Sequence, residues 1–159
     1  MIDAKFPHTI FRATLTPAWQ TICITLPNIQ TMPATAPRNK TKKVLIVEDE
    51  GEMCLLLNII LDSKKMELDH VKTIQNAIEY LELKKPSVVI LDNRLPDGYG
   101  VDFIGYIKSN YPGIRIVMIS GYGNAAKDLA LANGADLFIE KPFRREEIRD
   151  SVNNLLRQN

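Results

Sequence analysis

The sequence predicts an α/β fold, a parallel sheet with helices on both faces, and two observations carry that expectation. A short apolar run rich in β-branched residues, followed by a helix-length segment, recurs five times in the roughly 115 residues from Lys43 onward. Parallel neighbours need long crossovers, and those crossovers are right-handed, so five such units build one sheet covered on both sides. Runs such as "VLIV" and "VVIL" are apolar at every position rather than at alternate ones, as in central strands buried on both faces.

The elements follow in order. "KVLIV" (43–47) is the first strand, and "EMCLLLNIILDSKK" (52–65) has the length and apolar clustering of a helix lying on a sheet. "LDHVKT" (68–73) precedes "IQNAIEYLELKK" (74–85), and "SVVILD" (87–92) precedes "VDFIGYIKSN" (101–110). "IRIVMIS" (114–120) leads into "AAKDLALANG" (125–134), and "LFIE" (137–140) into "RREEIRDSVNNLLRQ" (144–158).

Composition sets the class. The 159 residues are 45% hydrophobic and 25% charged, ordinary for a soluble globular protein, and the net charge of +1 gives no reason to expect a nucleic acid or a membrane as partner. The charge is unevenly spread: residues 1–43 carry six basic groups and one acid, leaving −4 on residues 44–159. The first part also holds five of the nine prolines, eight threonines and no glycine, with no helical or strand period. Residues 1–41 are therefore expected to form an N-terminal extension without order, and 42–159 the folded domain; Met32, opening "MPATAPRNKTKK", is an alternative native start. "TICITL" is too short and too broken by Thr for a secretion signal or a membrane span, so a cytoplasmic location is expected. Cys23 and Cys54 form no CxxC pair, and His8 and His70 stand alone, so neither a disulfide nor a His-based metal site is expected.

In an open sheet of this kind, sites form at the carboxyl ends of the strands. The first strand is left by Glu48, Asp49 and Glu50, the third by Asp92, the fourth by Ser120, and the fifth by Glu140, Lys141 and Pro142. Taken singly each has a bland explanation: a helix-capping acidic run, an Asx turn, a serine turn, a surface lysine. Taken together they place carboxylates, a hydroxyl and an ammonium at the ends of four strands of one sheet. Carboxylates gathered without histidine point to a hard cation, and Mg²⁺ is the natural candidate because it takes one or two carboxylates, waters and a phosphate.

The segments "VLIVEDE", "VVILDNRLPDGYGVDFI", "IVMISGYG" and "FIEKPF" resemble the receiver domain of bacterial two-component response regulators. The resemblance spans about residues 42–157. It implies a flavodoxin-like, doubly wound five-stranded parallel sheet of order 2-1-3-4-5 with five helices. It further implies Asp92 as phosphoacceptor, Glu48 and Asp49 as the acid pair for Mg²⁺, and Lys141 as the phosphate-binding lysine. Asp92 and the backbone carbonyl of Arg94 complete the metal set, Ser120 and Phe138 are the switch residues, and the bond before Pro142 is cis. Glu48 stands where Asp is commoner, with the charge kept. The implied partners are a sensor histidine kinase or a histidine phosphotransfer protein, and a downstream target reached through the fourth helix, fifth strand and fifth helix. Arg94 and Tyr122 fall at the rim of the pocket, where they are expected to slow hydrolysis of the acyl phosphate.

Other readings are weaker. Haloacid-dehalogenase-type hydrolases carry a second acid two residues after the nucleophile, and here that position is Arg94. No GxxxxGK[ST] is present for a nucleotide. A pseudo-receiver that only binds would have lost one of the five site residues, and none is lost. The protein is accordingly expected to be no enzyme beyond its own phosphorylation and slow dephosphorylation. With the sequence ending at Asn159 soon after the fifth helix, it is expected to act as a stand-alone receiver.

Overall fold

The computed structural model describes residues 41–158. The extension expected over 1–41, with Cys23, His8 and the alternative start at Met32, lies outside the described residues but for Thr41.

The apolar runs become strands β1 (Lys42–Val47), β2 (Met66–Val71) and β3 (Val88–Asp92), alternating with helices α1 (Gly51–Leu61) and α2 (Ile74–Leu83). After Asp92 comes a hairpin that sequence patterning did not anticipate, β4 (Arg94–Leu95) and β5 (Gly98–Tyr99), before α3 (Gly100–Asn110). Then follow β6 (Arg115–Ser120), α4 (Asn124–Ala132), β7 (Leu137–Glu140) and α5 (Arg145–Arg157). The main sheet is wholly parallel in the order β2-β1-β3-β6-β7, which is the expected 2-1-3-4-5 once the hairpin is set aside.

Each central strand is split between two cores because successive side chains point to opposite faces. Leu45, Val47, Val89, Leu91, Ile116 and Met118 pack on the side holding Leu81 of α2 and Ile104 and Ile107 of α3. Val44, Ile46, Val88, Ile90, Val117 and Ile119 pack on the side holding Leu57 and Leu61 of α1 and Ile148 and Val152 of α5. Truncating a fully buried member such as Leu45 to Ala should cost about 2–5 kcal/mol.

Local chemistry sets the helix ends. Thr73 caps α2 by accepting from the Asn76 amide at 3.1 Å. Glu146 and Glu147 in the first turn of α5, and Arg157 in its last, match the helix dipole. Helix α1 stops at Leu61, short of the expected Lys65, because Asp62 turns extended (ψ 113°), and β2 consequently starts at Met66, two residues before the expected Leu68.

Candidate functional site

The carboxyl ends of β1, β3, β6 and β7 meet at an open cavity of about 670 Å³ lined by Asp49, Asp92, Arg94, Ser120, Tyr122 and Lys141, among others. The register explains the convergence. Asp92 pairs with Ile119, the residue before Ser120, and Ser120 pairs with Glu140, the residue before Lys141. A backbone bond from the Lys141 amide to the Ser120 carbonyl, 2.8 Å, fixes the last step.

Lys141 is the centre of the charge network. Its Nζ donates to Asp92 Oδ1 at 2.6 Å and to Glu48 Oε2 at 3.0 Å. Burial works against its charge, but the bonds to Asp92 and then Glu48 outweigh it, so the ammonium holds its proton more tightly than a free lysine. Glu48 is buried, and its carboxyl is pushed up chiefly by that burial; Lys141 opposes the shift and Asp92 adds to it. One cation is thus shared by two carboxylates, while Asp49, half-buried on the same cavity, has no hydrogen bond or ion pair among the described residues.

The remaining residues named from sequence fall as follows. Asp92 is buried, and its second oxygen accepts from the Arg94 amide at 2.5 Å. Ser120 is buried, and its Oγ accepts from the Tyr122 amide at 3.1 Å. Arg94 and Tyr122 both reach the cavity wall, with the guanidinium carbon 5.9 Å from the centre of the phenol ring. Phe138, half-buried, packs on the α2–α3 core rather than lining the cavity. The Lys141–Pro142 bond is cis.

Sequence reasoning passed over three residues that shape this loop. The Asp97 carboxylate accepts from the amides of Ile74 and Gln75, both at 2.9 Å, and so ties the hairpin to the start of α2. Burial works against its ionisation, but the two amides outweigh it and hold the carboxyl below its usual range. Buried Asn93 accepts from Gly100 and Val101 amides with its carbonyl and side-chain oxygens. Gly100 has to be glycine because a Cβ there would stand 2.1 Å from the Asp92 carbonyl oxygen. The Asp97-Gly98 dipeptide is the signal that could have disclosed the hairpin.

The donor set is suited to a hard cation but does not enclose one. Among the described residues no three His, Cys, Asp or Glu side chains close on a common point. Asp49 and Asp92 line the same open cavity, and Mg²⁺ ordinarily takes one or two carboxylates with waters and phosphate oxygens supplying the rest, so the residues present fit that ion.

Comparison with known proteins identifies the family and agrees with the fold. Residues 44–153 match the family described as the response regulator receiver domain. The chain belongs to this family. It is 34% identical over 117 residues to the response regulator protein PilR of Pseudomonas aeruginosa, a match covering 73% of this chain and 26% of that protein. It is 32% identical over 116 residues to the KDP operon transcriptional regulatory protein KdpE of Escherichia coli, covering 72% of this chain and 51% of that one. The chain therefore spans only a quarter to a half of these longer relatives. Among solved structures, the signal receiver domain of a LuxO repressor protein from Vibrio parahaemolyticus superposes with a TM-score of 0.70 at 29% identity, over 74% of this chain and 91% of that one. The receiver domain of NtrX from Brucella abortus does so with a TM-score of 0.68 at 29% identity, over 73% and 99%. Receiver domains are regulatory modules rather than enzymes in the ordinary sense, and response regulators work between histidine kinases and downstream targets. No helix among the described residues is long and apolar enough to cross a membrane.

Proposed function

We propose that this receiver domain takes a phosphoryl group on Asp92 from a phosphohistidine of a sensor histidine kinase or a histidine phosphotransfer protein. The observation that carries the reading is the setting of Asp92: a buried strand-end carboxylate, oriented by the Lys141 ammonium and the Arg94 amide, that faces an open cavity. An Asp92 oxygen attacks phosphorus in line, the P–N bond breaks toward the imidazole, and an acyl phosphate forms; a carboxylate nucleophile has no proton to lose, so no general base is required.

Lys141 keeps its charge and takes an oxygen of the transferred group, exchanging part of its bond to Asp92 for one to phosphate. Asp49, Asp92 and the Arg94 carbonyl are the groups to hold Mg²⁺, with Glu48 orienting a water. When bound, the ion supplies positive charge against that of the phosphoryl oxygens. The Ser120 hydroxyl then bonds a phosphoryl oxygen, Phe138 fills the space released, and the surface of α4, β7 and α5 changes for a target protein.

Incubation with a small acyl phosphodonor and Mg²⁺, followed by intact mass, tests this. Wild type should gain one phosphoryl group and Asp92→Asn none. Donor turnover without a modified protein would favour an aspartyl-phosphate hydrolase, and no reaction would favour a pseudo-receiver that only binds.

A further inference from the structure

The end of the molecule opposite the cavity, where the strands begin and α1, α2 and α5 finish, is basic. Two shallow hollows of about 360 and 300 Å³ adjoin there and share Lys42. The first is walled by Lys43, Lys84 and Lys85 around Leu83, the second by Lys64, Lys65 and Arg157, and no acidic side chain lines either. Glu67 and Asp69 are tied to Lys43 and Lys84 at 3.3 and 3.2 Å. Among the described residues Lys64, Lys65, Lys85 and Arg157 have no acidic partner.

Helix carboxyl ends attract cations, so part of this charge has a structural explanation. Three helix ends at about half a negative charge each balance one or two cations. Seven cations stand here against four neighbouring acids, Asp62, Glu67, Asp69 and Glu82, which leaves a surplus of three on a body that is otherwise acidic. The sequence just upstream adds Arg38 and Lys40. The near-neutral total of the whole chain conceals this separation.

We propose that this face binds the surface of an anionic lipid bilayer. Leu83 decides between polyanions. It is 86% exposed, the most exposed large apolar residue described, and stands among the lysines. Lysines around a protruding apolar side chain suit headgroup phosphates over an acyl boundary. A nucleic-acid surface would favour arginine and stacking aromatics, and the two hollows hold one arginine and no aromatic ring. Binding by this end leaves the Asp92 cavity, at the other end of the strands, open to solution.

The test is flotation of the full chain with vesicles of phosphatidylcholine alone or with about one third phosphatidylglycerol, at low and high salt. Binding should need the anionic lipid and fall with salt. Lys64→Gln/Lys65→Gln/Lys84→Gln/Lys85→Gln together should weaken it more than about tenfold, and Leu83→Ser several-fold, with melting temperatures near wild type. A variant with Arg38→Gln and Lys40→Gln should lose less than the four-lysine variant. Equal binding to neutral vesicles, or none to anionic ones, overturns the proposal, as does an unchanged four-lysine variant. A duplex oligonucleotide that displaces the vesicles and binds as well to Leu83→Ser would replace lipid by nucleic acid and also overturn it.

Discussion

Two ionic clusters lie at opposite ends of the sheet and are built in opposite senses. At the carboxyl ends, one cation, Lys141, is shared by Glu48 and Asp92. At the amino ends, one acid, Asp136, is shared by Lys108 at 2.6 Å and Arg115 at 2.7 Å, and also accepts from the Ile116 amide at 2.8 Å. Burial opposes ionisation of Asp136, but Lys108, the Ile116 amide and Arg115 outweigh it, and its carboxyl is held below the usual range. Glu48 goes the other way, pushed up by burial despite its lysine. The satisfied cluster joins α3, β6 and the start of β7 and serves stability. The unsatisfied one keeps an excess of negative charge that a bound cation can relieve, and charge left unbalanced in a cavity is the property that the proposed function uses.

The same substitution made in both clusters should separate them. Asp136→Asn leaves two partly buried cations without a counter-charge and should cost about 2 kcal/mol, less than for a fully buried pair because Arg115 is partly exposed. Asp92→Asn removes repulsion with Glu48 and should leave stability within about 1 kcal/mol of wild type, on either side. Urea unfolding measures both, and equal losses would break the distinction. The acid limb sharpens it. With its folded pKa depressed, Asp136 contributes stability that is present above the unfolded value near 4 and lost as pH falls through the lower folded value. The Asp136→Asn chain should therefore lose less on acidification over that window than wild type does.

Much of the functional end was legible in the sequence because it depends on where strands stop, and strands declare themselves by runs of apolar residues. Glu48, Asp92, Ser120 and Lys141 each follow such a run. Their pairing was not legible. Lys141 meets residues 93 and 49 positions away, and nothing local records that one ammonium serves two acids. The Asp136 cluster escaped for the same reason: Asp136 reads as a turn residue, and Lys108 sits on a helix whose amphipathic pattern explains a lysine without any partner. Gly100 follows a hairpin too short to show a period, and its need arises from one backbone contact with Asp92.

Mg²⁺ should act on one cluster only. If Asp49 and Asp92 hold it, the folded state gains about 1.4 kcal/mol at ten times the dissociation constant, and the melting temperature rises with metal. Asp49→Asn should abolish that rise and, because Asp49 has no hydrogen bond or ion pair to lose among the described residues, leave the metal-free protein as stable as wild type or slightly more so. Thermal melts at graded Mg²⁺ decide it. A full rise in Asp49→Asn would remove Asp49 from the metal set.

The smallest effect concerns the rim. The Arg94 guanidinium lies over the Tyr122 ring at the wall of the Asp92 cavity, and on the proposed function water that hydrolyses the acyl phosphate enters past this wall. Only the backbone of Arg94 is needed for a metal, so its side chain is available for this contact. Neither group can activate water: a guanidinium stays protonated and has no lone pair to take water's proton, and a neutral phenol is a weak base. What they can do is narrow the approach as a pair, each holding the other in place. A cation–π contact at an exposed site is worth about 0.5–1 kcal/mol, so opening the pair should speed decay of phospho-Asp92 about two- to fivefold. Because the two side chains act together, Arg94→Asn and Tyr122→Ala should each give nearly the whole effect, and the double variant little more. Decay of the phosphorylated protein at constant Mg²⁺, followed by intact mass, measures all three. Unchanged decay in both single variants would show that the pair does not shield the phosphate. Fully additive effects would show that each side chain acts alone, and the stacked geometry would then have no part in the lifetime of the signal.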